Sequence, residues 1–119
     1  MARDPVNAVE ATDCIVVLVT VGSQEEGQRI ATAVVDEQLA ACVNIVGPID
    51  SIYRWDGQTQ HDREMLLVVK SRATLFEELA ARITALHAYQ TPEVIALPIA
   101  AGSHAYLDWL RGATRARRE

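Results

Sequence analysis

The run Asp13–Val21 (DCIVVLVTV) constrains the fold more than any other part of the chain. It is almost wholly apolar and rich in β-branched residues, which is typical of a strand covered on both faces. The run therefore predicts a strand inside a sheet, with other groups packed on either side of it. Of the 119 residues, 50% are hydrophobic, enough material for one domain with a single core.

Helix-like and strand-like patterns alternate along the rest of the chain. Ser23 with Glu26, and Thr74 with Glu77, are capping-box signals, and apolar residues recur at helical spacing after each pair. Asp56-Gly57 is a strong hairpin-turn signal, and the polar stretch that follows it is interpreted as a lead into the next strand. The predicted elements are strands over residues 13–21, 41–55 (interrupted at Gly47-Pro48), 64–71 and 94–99, and helices over 24–38, 74–86 and from 102 onward.

This order, β-α-β-β-α-β plus a C-terminal helix, predicts an α+β, ferredoxin-like fold: an antiparallel-containing sheet with two helices on one face. We expect one domain over residues 13–112, an N-terminal tail over 1–12 and an arginine-rich C-terminal tail over 113–119. The pattern of the last helix predicts that Tyr106, Trp109 and Leu110 share one face.

The ribbon formed by the second and third strands carries large side chains close to its tip. With a strand period of two, Tyr53 and Trp55 share one face. In a single chain they would leave an apolar patch beside an unpaired strand edge, which predicts pairing with other copies of the chain. The alternative is that both rings fold back onto their own domain. Trp109 is open to the same two interpretations.

Charge and composition exclude several classes of protein. The net charge of −5 argues against nucleic acid as a partner, because phosphate binding depends on a concentrated positive field. The C-terminal arginines are interpreted as solvated. No apolar run is long enough to span a membrane, and the first residues lack the pattern of a signal peptide. Two cysteines, Cys14 and Cys42, do not make a disulfide framework, so we expect a cytoplasmic protein.

The sequence offers few groups for chemistry. It contains no CxxC, HxH or HExxH spacing and no nucleophile–base set, so an enzyme is not expected. An acylphosphatase-like hydrolase would need an arginine loop after the first strand, where this chain has Thr20–Gln24. The segment His87–Glu93 brings imidazole, phenol and carboxylate together, although a structural loop explains it as well. Cys42, within an apolar strand, is interpreted as a core residue.

Five stretches resemble the divalent-cation tolerance (CutA) family, in the same order and spacing. They are LAACVNI (Leu39–Ile45), SIYRWDG (Ser51–Gly57), the strand ending in Lys70-Ser71, HAYQTPEVIALPI (His87–Ile99) and GSHAYLDWL (Gly102–Leu110). The resemblance implies a ferredoxin-like subunit in a homotrimer similar to the PII signalling proteins. It also implies tolerance of, or response to, divalent metals, with copper binding known within the family and no cofactor required.

The resemblance also implies a site. A bound metal would have His87 as a ligand, assisted by Glu93 and Cys42, although Val19 and Leu86 stand where some members have cysteine and histidine. A cleft or subunit interface would involve Tyr53, Trp55, Lys70, Tyr89 and Trp109. The alternative function is a PII-like sensor of a small anionic ligand or a partner protein, which would use Lys70 and the helix N-terminus at Ser23.

Overall fold

The structure, a computed structural model, describes residues 12–117. The predicted N-terminal tail therefore lies outside the described residues, apart from Thr12. The elements are β1 (Cys14–Val21), α1 (Gln24–Asp36), β2 (Cys42–Trp55), β3 (Gln58–Arg72), a 3₁₀ turn (Ala73–Leu75), α2 (Phe76–Leu86), β4 (Ile95–Pro98) and α3 (His104–Gly112).

The four strands form one antiparallel sheet in the order β2-β3-β1-β4. The interior strands are β1 and β3, and the two edges are different: β2 has 14 residues and β4 has four. This topology confirms the predicted ferredoxin-like α+β fold. It also leaves two unlike rows of backbone hydrogen-bonding groups at the margins of the sheet.

One face of the sheet packs against α1 and α2. Val17 and Val19 of β1 are fully buried there, together with Ile30 of α1 and Leu79 and Ile83 of α2. Burial of such side chains is the main stabilising term of the subunit, roughly 1.5–3 kcal/mol for each one fully buried.

The opposite face, called here the open face, is covered by residues 12–117 only at one end, where Leu107 and Leu110 of α3 bury Cys14. Val16 and Leu18 alternate with the core residues of β1 and are only half-buried. Ile95 and Leu97 pair with them from β4, and each is 51% exposed. The expectation that β1 is covered on both faces is therefore met fully on one face and, within residues 12–117, only at the Cys14 end of the other.

The β2–β3 ribbon is longer than its apolar pattern indicates. The polar stretch after the Asp56-Gly57 turn is itself strand, because β3 begins at Gln58 and pairs with Trp55. β2 runs through Gly47-Pro48 with a shift in register between Val46 and Ile49. Gly47 has a φ of +150°, and a Cβ there would lie 2.9 Å from Sδ of Met65, so this position requires glycine.

Two helices begin with a side-chain cap, at Ser23 as predicted and at Ser103. Ser23 Oγ accepts a hydrogen bond from Glu26 N–H (3.1 Å), and Ser103 Oγ accepts one from Tyr106 N–H (3.2 Å). The Thr74 capping box is wrong: the chain passes through a 3₁₀ turn there, and α2 begins at Phe76 without a side-chain cap.

The faces of α3 also differ from the prediction. Leu107 and Leu110 are the residues that α3 buries, whereas Tyr106 and Trp109 are 42% and 49% exposed. The two exposed rings lie 5.4 Å apart, centroid to centroid. The two tilted rings pack against each other, and together they form an exposed aromatic patch on the outside of the helix.

Part of the arginine-rich C-terminus is docked rather than solvated. Thr114 is buried and its hydroxyl accepts a hydrogen bond from Nε of Arg72 at 2.8 Å. The N–H of Arg115 donates to the carbonyl of Gln38 (2.9 Å), and its guanidinium pairs with Glu78 (2.6 Å). The sequence does not show these partners, because all of them are distant along the chain.

Candidate functional site

A cleft of about 700 Å³ opens between the β2–β3 ribbon and the segment that joins α2 to β4. Its size is in the range of small-molecule sites. We call it the acidic cleft, and its lining residues are Thr20, Asp50, Ser51, Ile52, Tyr53, Trp55, Asp62, Glu64, Tyr89, Gln90, Thr91 and Glu93.

Tyr89 joins the two walls of the cleft. Its hydroxyl donates a hydrogen bond to Oε2 of Glu64 at 2.8 Å, although the two residues are 25 positions apart. Desolvation raises the pKa of Tyr89 well above the usual value, and the hydrogen bond to Glu64 raises it further. The phenol therefore stays neutral and keeps donating, which fixes the position of its ring.

Tyr53 is held in a similar way on the ribbon. Its hydroxyl donates to Oδ2 of Asp62, and this bond is the main cause that raises the pKa of Tyr53. Asp62 and Glu64 are two residues apart on β3, so both carboxylates lie on the same face of the strand. Two tyrosine–carboxylate pairs thus stand side by side at the floor of the cleft.

The charge of the cleft is negative. Asp50, Asp62, Glu64 and Glu93 all line it, and its lining contains neither lysine nor arginine among residues 12–117. The side chain of Asp50 alternates with that of Ser51 on β2, so its carboxylate lies on the other face of the ribbon, beside His61 (3.4 Å) and Arg63 (3.9 Å). Glu93 is exposed on the opposite wall. Such a field favours a positively charged ligand and opposes an anion.

A buried glutamate positions the wall that carries Tyr89. Oε2 of Glu26 accepts a hydrogen bond from Ala88 N–H at 2.8 Å, and Oε1 accepts one from Gly22 N–H at 3.2 Å. Glu26 is only 8% exposed. The capping-box glutamate therefore binds backbone groups outside its own helix and ties α1 to the segment after α2.

His87 has a structural position behind the cleft. Its side chain is fully buried, Nε2 lies 2.7 Å from the carbonyl of Thr20, and Nδ1 accepts a hydrogen bond from Tyr89 N–H at 3.0 Å. With Nδ1 as the acceptor, Nε2 is the nitrogen that donates to the Thr20 carbonyl. Both ring nitrogens are engaged within the chain, so neither is presented to a ligand.

The structure brings together some of the sequence-predicted site residues and separates others. Tyr53, Trp55, Tyr89 and Glu93 line the acidic cleft. Lys70 and Trp109 do not: the Lys70 ammonium donates to Oδ1 of Asn44, and Trp109 lies on α3.

Cys42 is distant from His87. It pairs with Lys70, whereas His87 binds the carbonyl of Thr20, which pairs with Leu66, four residues and roughly 13 Å further along β3. Within residues 12–117, no group of three or more His, Cys, Asp or Glu side chains is arranged to hold a metal ion. His87, Cys42 and Glu93 thus do not form a ligand set in one chain.

Sequence reasoning missed three acidic residues of this region: Asp62, Glu64 and Glu26. The spacing of Asp62 and Glu64 was a usable signal, since alternate carboxylates on a strand share a face. Glu26 had a complete explanation as a helix cap, so its second role could be found only once Ala88 was placed.

Comparisons with known proteins identify the family. Residues 15–113 match the family model described as CutA1 divalent ion tolerance protein. The chain belongs to this family. It is 55% identical over 96 residues to the divalent-cation tolerance protein CutA of Thermus thermophilus, covering 81% of this chain and 93% of that one. The solved CutA1 structure from the same organism superposes with a TM-score of 0.84 at 53% identity, covering 86% of this chain and 99% of that one.

Family membership confirms the resemblance found in the sequence. A chloroplastic CutA protein of Arabidopsis thaliana is 52% identical over 101 residues, which is 85% of this chain but only 56% of that protein. The chain thus spans about half the length of this plant relative. No helix within residues 12–117 is long and apolar enough to cross a membrane.

Proposed function

We propose that this CutA-family chain acts without catalysis, as a homotrimeric divalent-cation tolerance protein that receives cations at the acidic cleft. The observation that carries the proposal is the lining of the cleft, which includes the carboxylates of Asp62, Glu64 and Glu93 and neither lysine nor arginine. A cation entering the cleft is attracted by the whole lining, and the net charge of −5 adds to the attraction at long range.

The open face and the two unlike edges of the sheet support the assembly. Pairing β2 of one copy with β4 of the next is a head-to-tail contact. Such contacts give a closed ring when the rotation that relates neighbouring copies divides a full turn evenly. A ring of three would turn the open faces toward one another and bury the exposed side chains of Val46, Ile95 and Leu97. The same pairing would satisfy the edge groups of β2 and β4.

Among the metal ligands suggested by the sequence, we keep Glu93 as a cation contact, together with Asp62 and Glu64. Hard divalent cations take carboxylate oxygens and retain water in their remaining positions. For His87 we propose a positioning role instead, because its nitrogens hold the Thr20 carbonyl and the Tyr89 N–H. A copper site that includes Cys42 would need ligands from more than one copy of the chain.

Calorimetric titration of the assembled protein with Mg²⁺ and, separately, Cu²⁺ tests the cation role. We expect binding by the wild type to weaken about tenfold in an Asp62→Asn, Glu93→Gln double variant, since two charged ligands are lost. Glu25→Gln is the matched control, because Glu25 is an exposed carboxylate outside the cleft. Equal affinities of the double variant and the wild type would contradict the proposal.

The anion-sensor alternative has less support. Lys70 pairs with Val16, five residues along β1 from Val21, which leads into Ser23. The N–H of Glu26 in the first turn of α1 already binds Ser23 Oγ, and the acidic side chain of Glu26 lies beside that turn, where it binds Gly22 N–H. For an acylphosphatase-like activity, the chain offers no arginine in the loop after β1. We also propose a cytoplasmic location, supported by the free thiols of Cys14 and Cys42.

A further inference from the structure

We infer that the acidic cleft also binds an organic diammonium ion, that is, an aliphatic diamine carrying a proton on each nitrogen. This inference rests on the proposed function, since it names a class of cation for the same cleft. The observation behind it is the set of aromatic rings in the cleft, which contact an organic ammonium ion favourably but are not ligands for a hydrated metal ion.

Three aromatic side chains line the cleft next to its carboxylates. Trp55 is 56% exposed, and Tyr53 and Tyr89 are 41% and 39% exposed. Solvent-exposed rings beside negative charge are the setting in which an ammonium group gains both ion pairing and cation–π attraction. The methylene chain of a diamine gains apolar contact with the same rings.

The two tyrosines are fixed before any ligand arrives. Tyr89 donates to Glu64 and Tyr53 donates to Asp62, so neither ring has to be ordered by the ligand. A site whose groups are already in place loses less conformational entropy on binding. Each hydroxyl also occupies only one oxygen of its carboxylate, and a carboxylate has further acceptor positions on its other oxygen.

The spacing of Asp62 and Glu64 fits a ligand with two separate positive charges better than a single metal ion. Asp62 and Glu64 are two residues apart on one face of β3, about 6–7 Å along the strand. The nitrogens of an extended four-carbon diamine have a similar separation. A bare metal ion needs ligand atoms within about 2.0–2.6 Å of one point, and residues 12–117 contain no preformed group of this kind.

The probe is 1,4-diaminobutane, titrated calorimetrically into the wild-type protein at neutral pH and low salt. The comparison compounds are butylamine, which has one charge, and 1,4-butanediol, which has none. We expect the diamine to bind most tightly, the monoamine about tenfold more weakly, and the diol not measurably. Affinity should fall steeply with added salt, as for any exposed ionic contact.

Two variants remove the two kinds of contact. We expect Trp55→Ala to weaken diamine binding by about threefold to tenfold through loss of the ring. Asp62→Asn should weaken it by about tenfold or more, while its amide oxygen still accepts from Tyr53. Trp109→Ala and Glu25→Gln, an exposed ring and an exposed carboxylate elsewhere, should leave the affinity unchanged.

The outcomes separate this inference from the proposed function. Binding of the diol as strongly as the diamine, or Mg²⁺ binding without diamine binding, would overturn the inference; the second result would leave the cation role intact. Diamine affinity that is unchanged in both cleft variants would also overturn it. Ultracentrifugation of every sample reports the assembly separately, so a change of oligomeric state is not mistaken for loss of a contact.

Discussion

Oε2 of Glu26 lies 2.8 Å from the backbone nitrogen of Ala88, so the first turn of α1 is bonded to the segment that carries Tyr89 into the acidic cleft. The same carboxylate accepts the N–H of Gly22. One buried side chain therefore holds together the end of β1, the start of α1 and one wall of the cleft.

The first prediction follows from this contact. Replacing Glu26 with alanine leaves two backbone N–H groups without their acceptor, and we expect a loss of about 2–4 kcal/mol in the free energy of unfolding. Urea unfolding at one fixed protein concentration measures it. Glu25→Ala, an exposed residue of the same helical turn, should cost less than about 0.5 kcal/mol. Equal effects of the two changes would show that the bonds of Glu26 add nothing.

The second prediction concerns the open face. Leu97 is 51% exposed in a single chain, so a charge there should leave the subunit folded while opposing its burial against another copy. We expect Leu97→Asp to sediment as a folded monomer at micromolar concentration. Val35→Asp, on the outer surface of α1 and 37% exposed, is the control and should keep the assembly. If the Leu97→Asp protein is still trimeric, the subunit interface does not include the open face at Leu97.

The third prediction is a pH dependence. The hydrogen bond from Arg111 lowers the pKa of Asp13 in the folded chain below its usual value. The unfolded state therefore binds the proton more readily, and the stabilisation is present above the unfolded pKa of about 3.9 and is lost as pH falls through the folded pKa.

The corresponding test compares wild type with Asp13→Asn in thermal unfolding between about pH 2 and pH 6. The difference in stability should be largest at the upper end of this range and shrink toward the lower end. Both side chains are partly exposed, so the effect should be small and weaken with salt. A difference that grows as the pH falls would contradict the assignment.

The fourth prediction concerns the docked C-terminal segment. Arg115 pairs with Glu78 at 2.6 Å, and its backbone N–H binds the carbonyl of Gln38 just after α1. Truncation of the side chain in Arg115→Ala should cost about 1–2 kcal/mol in urea unfolding. Arg117→Ala, at an exposed neighbouring position, should cost almost nothing. If both variants have the same free energy of unfolding as the wild type, the guanidinium contact is not stabilising.

The fold could be predicted from the sequence because its elements differ in hydrophobic period. The run Asp13–Val21 and the helical spacing after Ser23 are local patterns, and each was placed within two or three residues of its observed bounds. The length of the ribbon was not predicted: Gln58–Arg63 has polar side chains on both faces beyond the core, and such a strand has no apolar alternation to reveal it.

The site was predictable only in part. Tyr53, Trp55, Tyr89 and Glu93 could be proposed as cleft residues from the motifs that contain them. For His87 the sequence left a structural and a metal-binding interpretation open, because no local pattern shows whether its ring nitrogens face solvent or, as here, the Thr20 carbonyl. Long-range hydrogen-bond partners are set by the tertiary fold and leave no local pattern.

The buried Glu26 carboxylate has one more consequence. Its two acceptor bonds go to Gly22 and Ala88, which lie 66 positions apart along the chain. Within residues 12–117, neither N–H group has a partner of its own in a strand or helix, so the carboxylate supplies the acceptor that a buried backbone N–H group requires. A change at this one residue should therefore be felt on both sides of the cleft wall, as faster amide hydrogen exchange at Gly22 and at Ala88 together.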